Sequence, residues 1–179
     1  TRQEITVATE CCPTMHITVR KATTADAEVA CIVLRRSITE CCAEDHRNEP
    51  EALSAWLRNK TPENIAGWFA APENFSVVAT SGEQVIGVGL LTAKGELALC
   101  YVHPEVRFKG VGKSLLNAME SHAMQSGLTE IRLSSTGTAK TFYLRQGFTF
   151  SGASGIEFGI RAFPLTKHLG LSIKFEVRQ

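Results

Sequence analysis

From His16 onward, the apolar positions divide the chain into segments of two periods. Residues 16–22 alternate, with Ile17 and Val19 on one side, as a half-buried strand does. Thr23 or Thr24 predicts a helix cap, and Asp26 and Glu28 favour the positive end of the helix that follows. Ala27, Cys31, Leu34, Ile38 and Cys41 then recur every three to four residues, the stripe of an amphipathic helix packed on a sheet. The polar run AEDHRN (43–48) predicts a loop. Pro50 opens a second helix, and Thr61 with Pro62 ends it and starts a third. Three apolar runs come next, FSVVATS, QVIGVGLLTA and ELALCYV, parted by turn residues at Gly82 and at Lys94 and Gly95. They predict an antiparallel meander, with Glu96, Ala98 and Cys100 on one side of its third strand and Leu97 and Leu99 on the other.

Val111, Leu115, Leu116, Met119 and Ala123 mark a helix that Gly127 ends, and LTEIRLSS follows as a strand. Strand, helix and strand in that order imply a parallel crossover. A short helix over TAKTFYLRQ stops at Gly147, and residues 148–152 and 156–162 read as closing strands. The sum predicts an α/β sandwich on a mixed, mostly antiparallel sheet flanked by helices. Residues 15–179 make one domain, and 1–14 read as a flexible tail, with Met15 as an alternative start.

Composition narrows the partners. Hydrophobic residues are 44% and charged residues 21%, which suits a folded core. A net charge of +1 gives no overall field for nucleic acid, so any anion site must be local. No apolar run approaches the roughly 20 residues of a membrane span, and 1–14 lacks the layout of a secretory leader. Cys11 and Cys12 are adjacent, as are Cys41 and Cys42, while Cys31 and Cys100 stand alone. Without a C-x-x-C pair, reduced buried thiols in a cytoplasmic protein are the expectation, and no metal. Asp45 and His46 are two adjacent ligands without a third.

The turn RFKGVGK, between a strand and a helix, carries the chemistry. Unpaired N–H groups and a positive dipole at a helix start draw anions, and glycines let backbone approach a phosphate. Arg107, Lys109 and Lys113 add local charge. Two familiar phosphate loops fail on spacing. A Walker A loop would need glycine at Arg107, and the dinucleotide fingerprint would need one at Leu115.

The motif R-x-x-G-x-G (Arg107, Gly110, Gly112), preceded by Val102 and Pro104, resembles motif A of the GCN5-related N-acetyltransferases. Phe142, Tyr143, Gly147 and Phe148, as F-Y-x-x-x-G-F, resemble that family's second signature. The resemblance implies a sheet splayed at a cofactor cleft and acetyl-CoA as co-substrate. It implies transfer of the acetyl group to a primary amine by direct attack in a ternary complex. The alternative is a module that senses acetyl-CoA without transferring it. By the same resemblance, Phe108, Lys109, Gly110, Val111, Gly112 and Lys113 hold the pyrophosphate, with Arg107 beside them. Backbone groups at Cys100, Tyr101 and Val102 meet the pantetheine arm and thioester, and Thr136 stands where relatives often carry an asparagine that contacts the cofactor.

Tyr143 matches the family's proton donor to the leaving thiolate, and Glu96 stands at the offset of the base in histone-acetylating relatives. Read from the residues alone, the alternatives are a packing role for Tyr143 and a solvated carboxylate at Glu96. His103 is a weaker base candidate, and Cys100 an acyl acceptor or a buried thiol. Asp45, His46, Asn48 and Glu157 fall where relatives select substrate, either to hold a cationic amine or simply as solvated groups. The acceptor would be a small molecule or a peptide, and a homodimer is possible because relatives often dimerise.

Overall fold

The computed structural model describes residues 15–170, so the tail expected at 1–14 lies outside them. The meander forms as β2 (Asn74–Ser81), β3 (Gln84–Thr92) and β4 (Leu97–Val102). With β1 (Thr18–Lys21) on the outer edge, the order is β1-β2-β3-β4, antiparallel throughout. Alternation then sorts the apolar side chains to two faces. Val77, Ala79 and Leu91 meet the stripe of α5 (Val111–Gln125), including Leu115, Met119 and Ala123. Val78, Val88 and Leu90 meet Ala30 and Leu34 of α1 (Ala27–Arg36) and Ile65 and Phe69 of α4 (Pro62–Ala70). Bare backbone in β3 lets α5 lie close: a Cβ on Gly87 would come within 2.8 Å of Val111, and one on Gly89 within 2.9 Å of Met119.

A second sheet, ordered β5-β8-β6, comprises β5 (Glu130–Ser135), β8 (Ile160–His168) and β6 (Thr149–Phe150), with β7 (Gly155–Glu157) paired to β8. The two sheets meet at one parallel bridge, Glu96 to Arg132, where Arg132 N–H donates to the Gly95 carbonyl at 2.8 Å. Past that point β4 and β5 part. Helix α6 (Gly137–Arg145) follows β5, and Tyr143 fastens it to the core by an edge contact with Phe148 at 5.5 Å.

Three expectations are corrected. The polar run 43–48 holds a short helix, α2 (Ala43–His46), because α1 runs on through a π-turn, Ser37–Cys41. Left-handed Arg47 and Asn48, with φ of 50° and 55°, end it before α3 (Pro50–Leu57). Residues 156–162 are not one strand but the end of β7, a two-residue turn at Phe158 and Gly159 (φ 51° and 79°), and the start of β8. In β4 the expected alternation breaks. Leu90 pairs with Leu99 but Leu91 with Leu97, so Ala98 is a bulge. Leu97 therefore joins the α5 core and Leu99 the opposite one, where strict parity predicts the same side.

Candidate active site

The turn that leaves β4 is strained and glycine-rich. Phe108 has φ of 62° and a ring 95% exposed, with the Arg107 guanidinium 4.8 Å above it. Gly110, at φ 88°, starts α5 in a conformation that a side chain would strain. Gly112 has ordinary helical geometry, and a Cβ there would touch only Phe142 at 3.5 Å. The two glycines thus serve different ends, one to bend the chain and one to leave room. The first N–H groups of α5 have no helical carbonyl to bond. They open on a cavity of about 380 Å³ that Gly110, Val111, Gly112 and Lys113 line with Arg107 and Phe108. Of this turn, only Lys109 stays outside the lining.

The cavity runs into the gap between β4 and β5. His103 N–H donates to the Ile86 carbonyl, so by antiparallel alternation Val102 and Cys100 turn their backbone groups away from β3 toward the gap. The Tyr101 amide then faces the β3 ladder, and what Tyr101 gives the gap is its side chain, beside Trp56. Cys100 and Tyr143 lie against one another, and burial pushes the thiol up to about 11 and the phenol well above its usual range. Both keep their protons at neutral pH. Cys42, on the same wall, is held protonated in the same way, up to about 12.

Two polar groups of α6 face this cavity. Thr136 accepts from Ala139 N–H at 3.2 Å and so caps the helix while lining the cavity. Thr138, which sequence reasoning missed, has a buried hydroxyl without a partner among the described residues. An orphaned hydroxyl, free amides at a helix start and two nearby cations fit a polar, anionic ligand.

A second cavity, about 460 Å³, lies on the α3 and α4 side, with Trp56, Trp68 and Phe158 in its walls. It shares Leu97, Ala98, Tyr101, Ser134, Ser135 and Thr136 with the first, so the two cavities adjoin where the strands part. Glu96 stands at the apex of the gap and is exposed into the second cavity, in no ion pair among the described residues. Glu157 reaches the same space and accepts from the Ser134 hydroxyl at 2.8 Å.

The other expected substrate residues are parts of the scaffold. Asp45 accepts from the Thr138 N–H at 3.2 Å and so caps α6 across the molecule. His46 is 1% exposed; its Nδ1 accepts from Asn48 N–H and its Nε2 faces the Thr39 carbonyl. Asn48 contributes that amide and a left-handed turn. His103 is buried with Nε2 2.9 Å from Arg36 and lines neither of these two cavities. Among the described residues no cluster of three metal-ligating side chains occurs, and no helix is long and apolar enough to cross a membrane.

An α/β domain whose sheet splits beside a glycine-lined helix start is the class that fold and site define. The acetyltransferase (GNAT) domain family matches residues 42–169, and the chain belongs to it. An amino-acid acetyltransferase of Pseudomonas putida is 40% identical over 84 residues, 45% of this chain; the chain spans only 19% of that relative's length. A spermidine N(1)-acetyltransferase of Thermoplasma acidophilum is 26% identical over 155 residues, 80% of this chain and 95% of the relative. The structure of the PaiA N-acetyltransferase from Thermoplasma acidophilum in complex with coenzyme A superposes with a TM-score of 0.74. It is 24% identical, over 86% of this chain and 99% of that one, a likeness of fold.

Proposed function

We propose that the protein is an acetyl-CoA-dependent N-acetyltransferase that moves the acetyl group to a primary amine by direct attack in a ternary complex. The observation that carries this reading is the pair of cavities that adjoin between β4 and β5, one at the glycine-lined helix start and the other aromatic, with Glu96 and Glu157 in its walls. Donor and acceptor can enter from opposite sides and meet at Ala98 and Ser134. The naming of a Thermoplasma relative for spermidine, and of another for a complex with coenzyme A, supports both halves.

Acetyl-CoA supplies an activated acetyl thioester when bound. The N–H groups of 111–113 hold its pyrophosphate, with Arg107 and Lys113 alongside, and Thr138 gives its free hydroxyl. The outward amides at Cys100 and Val102 orient the thioester and donate to the oxygen that gains charge. Glu96 takes a proton from the acceptor amine, which is mostly charged at neutral pH given its ordinary pKa of ~10.4. Tyr143, kept neutral by burial, gives its proton to the departing sulfur.

Thiol release from acetyl-CoA, followed over a panel of primary amines, tests the reading. At least one amine is expected to give saturable, stoichiometric thiol and acetyl-amine. Binding of acetyl-CoA with no thiol from any amine would overturn it.

A further inference from the structure

Lys60, in the link between α3 and α4, is 5% exposed, yet lines the second cavity. Its Nζ donates to Asn59 Oδ1 at 2.6 Å and stands 5.7 Å from the centres of both the Trp68 and Phe158 rings. No carboxylate of the described residues lies within ion-pair distance of it. Burial lowers its pKa and no neighbouring charge offsets that. A buried ammonium with one of three protons bonded and only ring faces for company is costly unless an anion completes it. Arg161 of β8 lines the same cavity and is likewise in no ion pair among the described residues. Glu96 and Glu157 line it too. The space is therefore neither acidic nor basic but carries both signs.

The geometry points to an acceptor that bears a carboxylate as well as its amine, a free amino acid, with Lys60 as the residue that holds the carboxylate. This rests on the reading of the adjoining cavities as an N-acetyltransferase site, and it selects among amines: a polyamine leaves Lys60 facing a second cation. The amine goes toward Glu96 and the gap, where the acetyl group arrives, and the carboxylate goes to Lys60, with Arg161 adding charge.

The chain's two tryptophans, Trp56 and Trp68, both line this cavity, so their fluorescence reports its occupancy. The probes are N-acetylated α-amino acids, which resemble the product, each compared with its methyl ester. At least one acid is expected to bind tenfold or more tightly than its ester. Lys60→Met removes that difference and Lys60→Arg restores part of it, while coenzyme A binding, followed by thermal shift, stays unchanged in both and shows that they fold. The inference is overturned if no acid binds, if acids and esters bind alike, or if Lys60→Met keeps the preference. Acetylation of Lys60 itself, found by mass spectrometry together with equal binding of acids and esters, would also overturn it. The two readings fail separately. If only amines without a carboxylate yield thiol, Lys60 loses this role and the transferase stands. If no amine yields thiol but the preference for acids persists, the cavity stands and the transferase falls.

Discussion

Cys100 and Tyr143 share one wall, and burial acts on both in the same direction, keeping thiol and phenol protonated. A protonated thiol is a poor nucleophile, whereas a protonated phenol is what a departing thiolate needs. Tyr143→Phe keeps the ring contacts and is expected to lower kcat about 100-fold with little change in KM for acetyl-CoA. Cys100→Ser should keep most activity. The reverse pattern in steady-state thiol release would mean that an acyl-enzyme forms at Cys100. Glu96→Gln is expected to lower kcat/KM for the amine at neutral pH by a similar factor. Its defect should shrink as the pH rises, because a growing share of the amine no longer needs a base. A defect that is constant with pH excludes this role. Lys60 and Thr138 were invisible to sequence reasoning: a polar residue between elements has no period, and its burial is decided by segments far along the chain.

Helix ends and strand edges carry the next set of consequences. Asp45 sits in the polar run where substrate contact was expected, but it serves as a cap for α6 from 93 residues away. Asp45→Ala should cost about 1 kcal/mol, a fall of roughly 2–4 °C in melting temperature, without changing kcat. Asp26, at the start of α1, receives both Arg20 Nη atoms at 2.7 and 2.9 Å as well as the Thr23 N–H. These bonds, the Arg20 pair foremost, lower its pKa to about 2 against burial. The folded value lies below the unfolded one of ~3.9, so the stabilisation is full above that value and is lost as pH falls toward 2. With Arg20 half exposed, about 1–2 kcal/mol is the reasonable size. Asp26→Asn should therefore destabilise at pH 7 and be nearly silent at pH 2, as urea titrations would show.

The glycine turn separates two kinds of damage. Gly110→Asp strains a φ of 88°, whereas Gly112→Asp folds and fails only where a phosphate must approach. For Gly112→Asp, coenzyme A affinity by calorimetry should fall beyond detection while the melting temperature without ligand holds. The elements themselves were legible because periods of 2 and 3.6 are local properties, as the meander and α5 show. The bulge at Ala98 and the hairpin at Phe158 and Gly159 were not, since both depend on which strand lies opposite.

At the scale of the molecule, the described domain is two sheets held together by one bridge at Glu96 and by the cores under α5 and α6. Its sequence announced the glycine turn before α5 and the order of strands around it. It did not announce a second cavity, because Trp56, Lys60, Glu96, Glu157 and Phe158 come together only by tertiary folding. The gap leaves outward amides of β4 and the edge of β5 without sheet partners, and a ligand lying in it takes the place of the missing strand pairing. Coenzyme A should then stabilise the whole fold and not the cradle alone. Binding at 100 times Kd adds ~2.7 kcal/mol, a rise of roughly 5–10 °C in melting temperature for a chain of this size. Hydrogen exchange should place the new protection at Cys100 and Val102 in β4 and at 111–113 of α5, with smaller gains in β1 and β2. Protection confined to α5 would mean that the ligand sits at the helix end and never enters the gap, and the gap would then lose its role in transfer.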